Sequence, residues 1–255
     1  VDVDPHTRKA SVPAMTAALE KYRGRVVLMA ASAPSYAHGV IDPIEELAEM
    51  ALADEIRFHV DACIGGWVLP FTDRVTEPWD FVIEGVTSLS ADLHKYAYTP
   101  KGVSLLLHRT PELRKPQFFA SADWPGYTML NATTQSTKSG GPLAAAFAVV
   151  KHLGVPGYTE LTSRTLAGVD QLLAGLASID HVSIAATPES SLIAIETDQT
   201  CDVFSISDLM LERGWYVQPQ MSFGDLPASI HLTVCAATTD HIDEFLTAFA
   251  EKMSP

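Results

Sequence analysis

GVTSLSADLHKYAYTPKGVSLLLHR, residues 85–109, holds the reading of this chain's fold. GVTSLSAD (85–92) and GVSLLLHR (102–109) are short apolar, β-branched runs, each the length of one strand. Between them, HKYAYTPKG places a histidine, two lysines and two tyrosines in an otherwise acidic chain. A lysine set among buried strands is costly unless its chemistry is needed there.

The same alternation extends outward. RVVLMA (25–30) is a continuous apolar run that suits a strand buried on both faces. SVPAMTAALEKY (11–22) predicts a helix with Ser11 as its cap and Pro13 in its first turn. IDPIEELAEMALA (41–53) predicts an amphipathic helix with Ile44, Leu47, Met50 and Ala51 on one face. Asp42 and Glu45 sit near its positive end. RFHVDA (57–62) is a further strand. Short strands alternating with helices predict an α/β domain with a mainly parallel sheet. Such sheets bind ligands beyond the carboxyl ends of their strands, where Asp61 and the His94–Lys95 pair fall. From 111 to 142 the pattern loosens at Pro111, Pro116, Pro125 and Gly140–Gly141. Helices are expected at 142–153, 157–178, 203–213 and 239–252, with strands near 190–196, 215–218 and 228–235. The expected division is a large parallel-sheet domain that includes 1–141 and a small α+β domain over 142–255.

Composition narrows the function. With 255 residues, 47% of them hydrophobic, the chain can bury a sizeable core. A net charge of −14 argues against nucleic acid and against an anionic membrane surface. No apolar run reaches the roughly 18 residues of a membrane-spanning helix. Cys63, Cys201 and Cys235 are odd in number and far apart, which suggests neither a disulfide framework nor a zinc site. The expected setting is a reducing cytoplasm, and no metal is expected.

Lys95 carries the chemistry. An amine in a partly desolvated pocket becomes a nucleophile toward an aldehyde and forms a Schiff base. Pyridoxal phosphate is the common aldehyde of this kind. Its ring nitrogen asks for a carboxylate, for which Asp61 is the candidate, and its phosphate asks for donors. His94 and the hydroxyls of Ser88 and Ser90 are near in sequence. Taken singly, Lys95 reads as a surface lysine and Asp61 as a helix cap. An aspartate at one strand end with His-Lys at the next shifts the reading to a cofactor.

SAPSYAHGVIDPIEELA (32–48), DACIGG (61–66) and SLSADLHKYAYTPKG (88–102) together resemble the pyridoxal-phosphate-dependent sphingosine-1-phosphate lyases of the broader group II decarboxylase family. QFF (117–119), DWPG (123–126), Gly140–Gly141, GY (157–158) and GWYVQPQ around residue 217 continue the resemblance over nearly the whole chain. It implies a fold-type I pyridoxal-phosphate-dependent transferase-like architecture. It also implies a homodimer with a site shared between subunits. Lys95 would be the Schiff-base lysine, Asp61 the partner of the ring nitrogen and His94 a phosphate contact. Cys63, Ser90 and Asp92 would face the cofactor. Lys101 matches a second active-site lysine, and His38, Tyr36 and Tyr98 are candidate substrate contacts. His59 reads as a core or supporting histidine rather than a catalyst. The implied reaction, in sphingolipid metabolism, splits a phosphorylated sphingoid base into a long-chain aldehyde and phosphoethanolamine. Alternatives on the same residues are an amino-acid decarboxylase and a non-catalytic fragment.

Two departures stand out. Lys138 in STKSGG (136–141) replaces an arginine of relatives, a point charge for a bidentate fork. The family's upstream phosphate loop, ring-stacking histidine and cross-dimer tyrosine are not in these residues. The chain therefore reads as the downstream portion of a longer enzyme that needs that upstream segment.

Overall fold

The computed structural model describes residues 1–135, 137–198 and 200–253. The first helix, α1 (Val12–Lys21), begins as the sequence asks: the Ser11 hydroxyl accepts from the Ala14 amide. Strand β1 (Leu28–Ser32) leads into α2 (Ile44–Ala53), whose Glu45 and Glu46 lie at its positive end. Then come β2 (Arg57–Asp61), β3 (Ser88–Asp92) and β4 (Ser104–His108). The sheet order is β1-β2-β3-β4, parallel across the first three strands and antiparallel at the last. Helix α2 buries Ile44, Leu47, Ala48 and Ala51 in a core with Phe58, Val60 and Leu89. Gly85 is needed for that packing, since a Cβ there would lie 2.2 Å from the Ala48 carbonyl oxygen.

RVVLMA departs from its expected placement. The strand starts only at Leu28, and its burial alternates, with Leu28 and Ala30 exposed and Met29 and Ala31 buried. Only the second set packs into the core beneath α2, so the run is half-buried rather than buried on both faces.

The looser region holds α3 (Pro111–Arg114) and a small hairpin of β5 (Phe119–Ser121) and β6 (Met129–Asn131). Helix α4 (Gly141–Leu176) is two helical stretches joined at a kink, where Gly154 has φ 56° and Pro156 follows. The two expected helices are therefore present with a break near 154. A second, antiparallel sheet follows, of order β7-β8-β10-β9. Its strands are β7 (Val182–Ile184), β8 (Leu192–Thr197), β9 (Gln218–Gln220) and β10 (Ser229–Thr233). Helices α5 (Val203–Glu212) and α6 (Ile242–Met253) complete it. Its core joins Leu172 and Leu176 of α4 to Ile193, Ile195, Met210, Ile230 and Phe249.

The N-terminal segment ties the sheets together. Arg8 pairs with Glu196 at 2.6 Å, and Lys9 with Glu189 at 2.8 Å. Glu189 also accepts from the Ile41 amide, just before α2.

Candidate active site

The site lies at the carboxyl ends of the parallel strands, where the chain leaves the sheet. Residues alternate along a strand, so His59 and Asp61 of β2 share a face with Ser88, Ser90 and Asp92 of β3. Register sets Asp61 beside Ser90 and His59 beside Ser88. Asp61, His59 and Ser32 line a cleft of about 540 Å³.

Asp61 is held as a carboxylate. Its Oδ1 accepts from the Cys63 amide at 3.0 Å and from the Ser90 hydroxyl at 3.2 Å. Partial burial works to raise its pKa. The Cys63 thiol and amide, the Ser90 hydroxyl and the positive charge of Lys95 outweigh this and leave it below the ordinary value. Cys63 responds in the opposite direction: burial first, then the carboxylate of Asp61, pushes its thiol up to about 11. It is therefore a neutral, unreactive group at the site.

Asp92 begins the turn that carries the lysine. It is buried, with Oδ1 accepting from the Ser104 hydroxyl and Oδ2 lying 2.9 Å from the Lys95 amine. Burial raises the Asp92 carboxyl, but Ser104, Lys95 and His94 together bring it below its usual value. His94 bonds the Val103 carbonyl through Nδ1 at 2.8 Å, and its Nε2 is 3.7 Å from Asp92. Leu93, Ala97 and Val103 pack with Ala146 and Tyr158, which anchors the turn. The Tyr96 hydroxyl donates to the Val234 carbonyl at 2.6 Å and fixes the turn to the second sheet.

Two expectations about these residues are corrected. Lys95 is exposed and paired to Asp92 rather than desolvated, because its apolar neighbours face the core and leave it outward. The Ser88 and Ser90 hydroxyls bond His59 at 2.9 and 3.2 Å, and Ser90 also bonds Asp61, so they are spent within the sheet rather than offered to a phosphate.

Lys101 is exposed at the end of the same turn, and Lys138 is exposed; Ser136 lies outside the described residues. His38 lines a cleft of about 580 Å³ with Arg8, Gln220 and Phe223, which shares Val1, Val3 and Ser35 with the cleft at Asp61. Burial and the nearby Arg8 lower its pKa. Tyr36 stacks on His231 with ring centres 4.2 Å apart, and the Tyr98 hydroxyl accepts from the Ala236 amide at 3.3 Å. The second sheet and the loop that follows it therefore hold both tyrosines. Ser104 escaped the sequence reading. Only the antiparallel register of β3 and β4, which sets it opposite Asp92, reveals it.

The donor set fits a pyridoxal group: an ionised carboxylate, an accessible amine coupled to it by charge, and a cleft at the sheet edge. No group of acidic, histidine or cysteine side chains suited to a metal occurs among the described residues.

Comparison with known proteins agrees. Residues 1–197 match the pyridoxal-dependent decarboxylase conserved domain. The sphingosine-1-phosphate lyase of Oryza sativa is 37% identical over 226 residues, which are 88% of this chain and 41% of that protein. Sphingosine-1-phosphate lyase 1 of Rattus norvegicus is 35% identical over 235 residues, 91% of this chain and 40% of that protein. The chain thus spans about two fifths of the length of the curated relatives it matches. The solved sphingosine-1-phosphate lyase of Burkholderia pseudomallei superposes with TM-score 0.89 at 30% identity, covering 98% of this chain and 56% of that one. A tryptophan decarboxylase of Catharanthus roseus, 16% identical, shares the fold with TM-score 0.78, covering 98% of this chain and 55% of its own. The architecture is the fold-type I one that the sequence led us to expect.

Proposed function

The chain belongs to the pyridoxal-dependent decarboxylase family, and from that premise we propose that it carries the lysine-bearing part of a carbon–carbon lyase for phosphorylated sphingoid bases. The products are a long-chain aldehyde and phosphoethanolamine. The observation that supports this most is the likeness to sphingosine-1-phosphate lyases over 88% of the chain, which includes the Asp61, Asp92 and Lys95 cluster.

Lys95 is the residue that would hold the cofactor's aldehyde, and Asp61 the one that would face its ring nitrogen. Pyridoxal phosphate, when bound, supplies an electron sink for the carbon that loses a bond. The remaining work belongs to side chains. The reaction removes a proton from the hydroxyl beside the amine-bearing carbon, breaks the bond between those two carbons, and returns a proton to the amine-bearing one. Lys95, once released from the cofactor, would be the group to move such a proton, with the Asp92 carboxylate 2.9 Å from its amine to stabilise the charge it gains. Asp61 stays ionised through hydrogen bonding and keeps its negative charge at the sheet edge. Lys101, exposed at the turn's end, is a second cation for the substrate phosphate. His94, whose ring is held by the Val103 carbonyl, would contact the cofactor phosphate.

The division near residue 141, a homodimer that shares the site, and a reducing cytoplasm belong to the same proposal. The three free thiols support the last. The test offers the cofactor-loaded protein phosphorylated sphingosine in one reaction and free amino acids in another. Phosphoethanolamine from the first supports the lyase. Carbon dioxide from the second, with no phosphoethanolamine, transfers the reading to decarboxylation.

A further inference from the structure

His59 sits in the middle of a sheet, beside Asp61 and against two serines that bond it from the neighbouring strand. The proton positions follow from what each group can do. An ionised carboxylate only accepts, so Ser90 gives its single hydroxyl proton to Oδ1 of Asp61 over 3.2 Å. The Ser90 oxygen is then an acceptor, and His59 Nε2, 3.2 Å away, must donate to it. A neutral imidazole protonated at Nε2 has a bare Nδ1, which takes the Ser88 hydroxyl proton over 2.9 Å. Neutrality agrees with the surroundings. Burial lowers the His59 pKa, the Asp61 charge opposes that, and His108 adds to the lowering.

All three hydrogen bonds therefore run one way, from Ser88 through His59 and Ser90 to Asp61. They end on Oδ1, which the Cys63 amide also meets, while Oδ2 takes neither bond. We propose that His59 is a positioning residue for the cofactor's carboxylate: it locks the Ser90 hydroxyl onto Oδ1 and so turns Oδ2 to the cofactor ring nitrogen. This rests on the reading of Asp61 given above. His59 lines the same cleft as Asp61, and its proposed effect on the carboxylate runs through Ser90.

The test measures binding of pyridoxal phosphate, and of an analogue with carbon in place of the ring nitrogen, to the cofactor-depleted full-length protein. Asp61→Asn is expected to weaken the natural cofactor and spare the analogue, which checks the underlying reading. His59→Phe is expected to weaken the natural cofactor about tenfold and spare the analogue, on the scale that loss of an orienting outer partner has at metal sites. Ser90→Ala gives the same pattern, because it removes the last link. His59→Gln, whose amide can donate to Ser90, restores most of the loss.

Equal weakening of both ligands by His59→Phe overturns the proposal, and if Asp61→Asn still discriminates, the reading of Asp61 survives. A failure of Asp61→Asn to discriminate overturns both. Should His59→Phe not fold, Ser90→Ala and the imidazole ¹⁵N shifts of the unsubstituted protein decide. The shifts must show the proton on Nε2, and a proton on Nδ1 refutes the arrangement.

Discussion

Gly65→Ala places one methyl group where the structure has no room for it. Gly65 follows Asp61 and Cys63 in the loop after β2. A Cβ there would lie 2.0 Å from the carbonyl oxygen of Ala33 and 2.9 Å from its carbonyl carbon. Leu69 Cδ1 would also lie at 2.9 Å, and that side chain can turn aside, but the Ala33 backbone cannot. The Ala33 amide is already bonded to the Asp61 carbonyl at 2.9 Å. An ordinary contact begins near 3.4 Å, so the loop or the end of β1 must move by more than an ångström. Overpacking of this kind costs about 1–3 kcal/mol. At about 2 kcal/mol, a chain of this size loses about 4–8 °C in Tm. The same movement strains the Cys63 amide bond to Asp61 at 3.0 Å. A hydrogen bond to a charged group contributes about 1.5–3 kcal/mol, so cofactor affinity falls about tenfold or more. Urea denaturation and cofactor titration measure the two effects. Gly140→Ala is the control, since no heavy atom lies within 4 Å of its Cβ and its φ of −76° suits alanine. The reasoning fails if Gly65→Ala matches Gly140→Ala in both stability and cofactor affinity.

Three further outcomes follow from single groups. His231 is buried, and burial brings its pKa from 6.5 to about 4. The unfolded chain then binds more protons between these values, so stability is full above about 6.5 and falls as pH drops toward 4. The slope is up to about 1.4 kcal/mol per pH unit, and urea melts across that window should show the slope reduced in His231→Gln. Tyr96→Phe removes the 2.6 Å bond to the Val234 carbonyl and leaves that oxygen without its partner, which costs about 1–2 kcal/mol by the same melts. Asp61→Asn should keep the fold, because Asp61 is exposed at the sheet edge, while cofactor affinity drops; an unchanged affinity by titration would remove Asp61 from its assigned role.

That Asp61 and the His94–Lys95 pair fall at the carboxyl ends of β2 and β3 was legible because apolar runs located those ends. Ser11 and Pro13 fixed the start of α1 for a local reason, capping, that a sequence states directly. RVVLMA misled because an apolar run does not say which faces the fold covers. Strand β7 and the β5–β6 hairpin, three residues per strand, are too short to show a period. The exposure of Lys95 depends on Leu93 and Ala97 taking the inward side of a turn, and turns have no repeating pattern to read. Ser104 and the bonds of His59 depend on register between strands, which is set by three-dimensional pairing. Motif likeness alone grouped Tyr36, Tyr98 and His38 with the lysine; that Tyr36 stacks on His231 and that the Tyr98 hydroxyl meets the Ala236 amide depend on contacts with the second sheet and the loop after it, which a sequence does not display.

Reductive trapping tests the central claim most directly. The protein loaded with pyridoxal phosphate is treated with borohydride, digested, and mapped by mass spectrometry. The account predicts the cofactor's mass on the peptide of residue Lys95 and its loss in Lys95→Ala. Label on Lys101, Lys138 or any other lysine, with Lys95 unmodified, would contradict it.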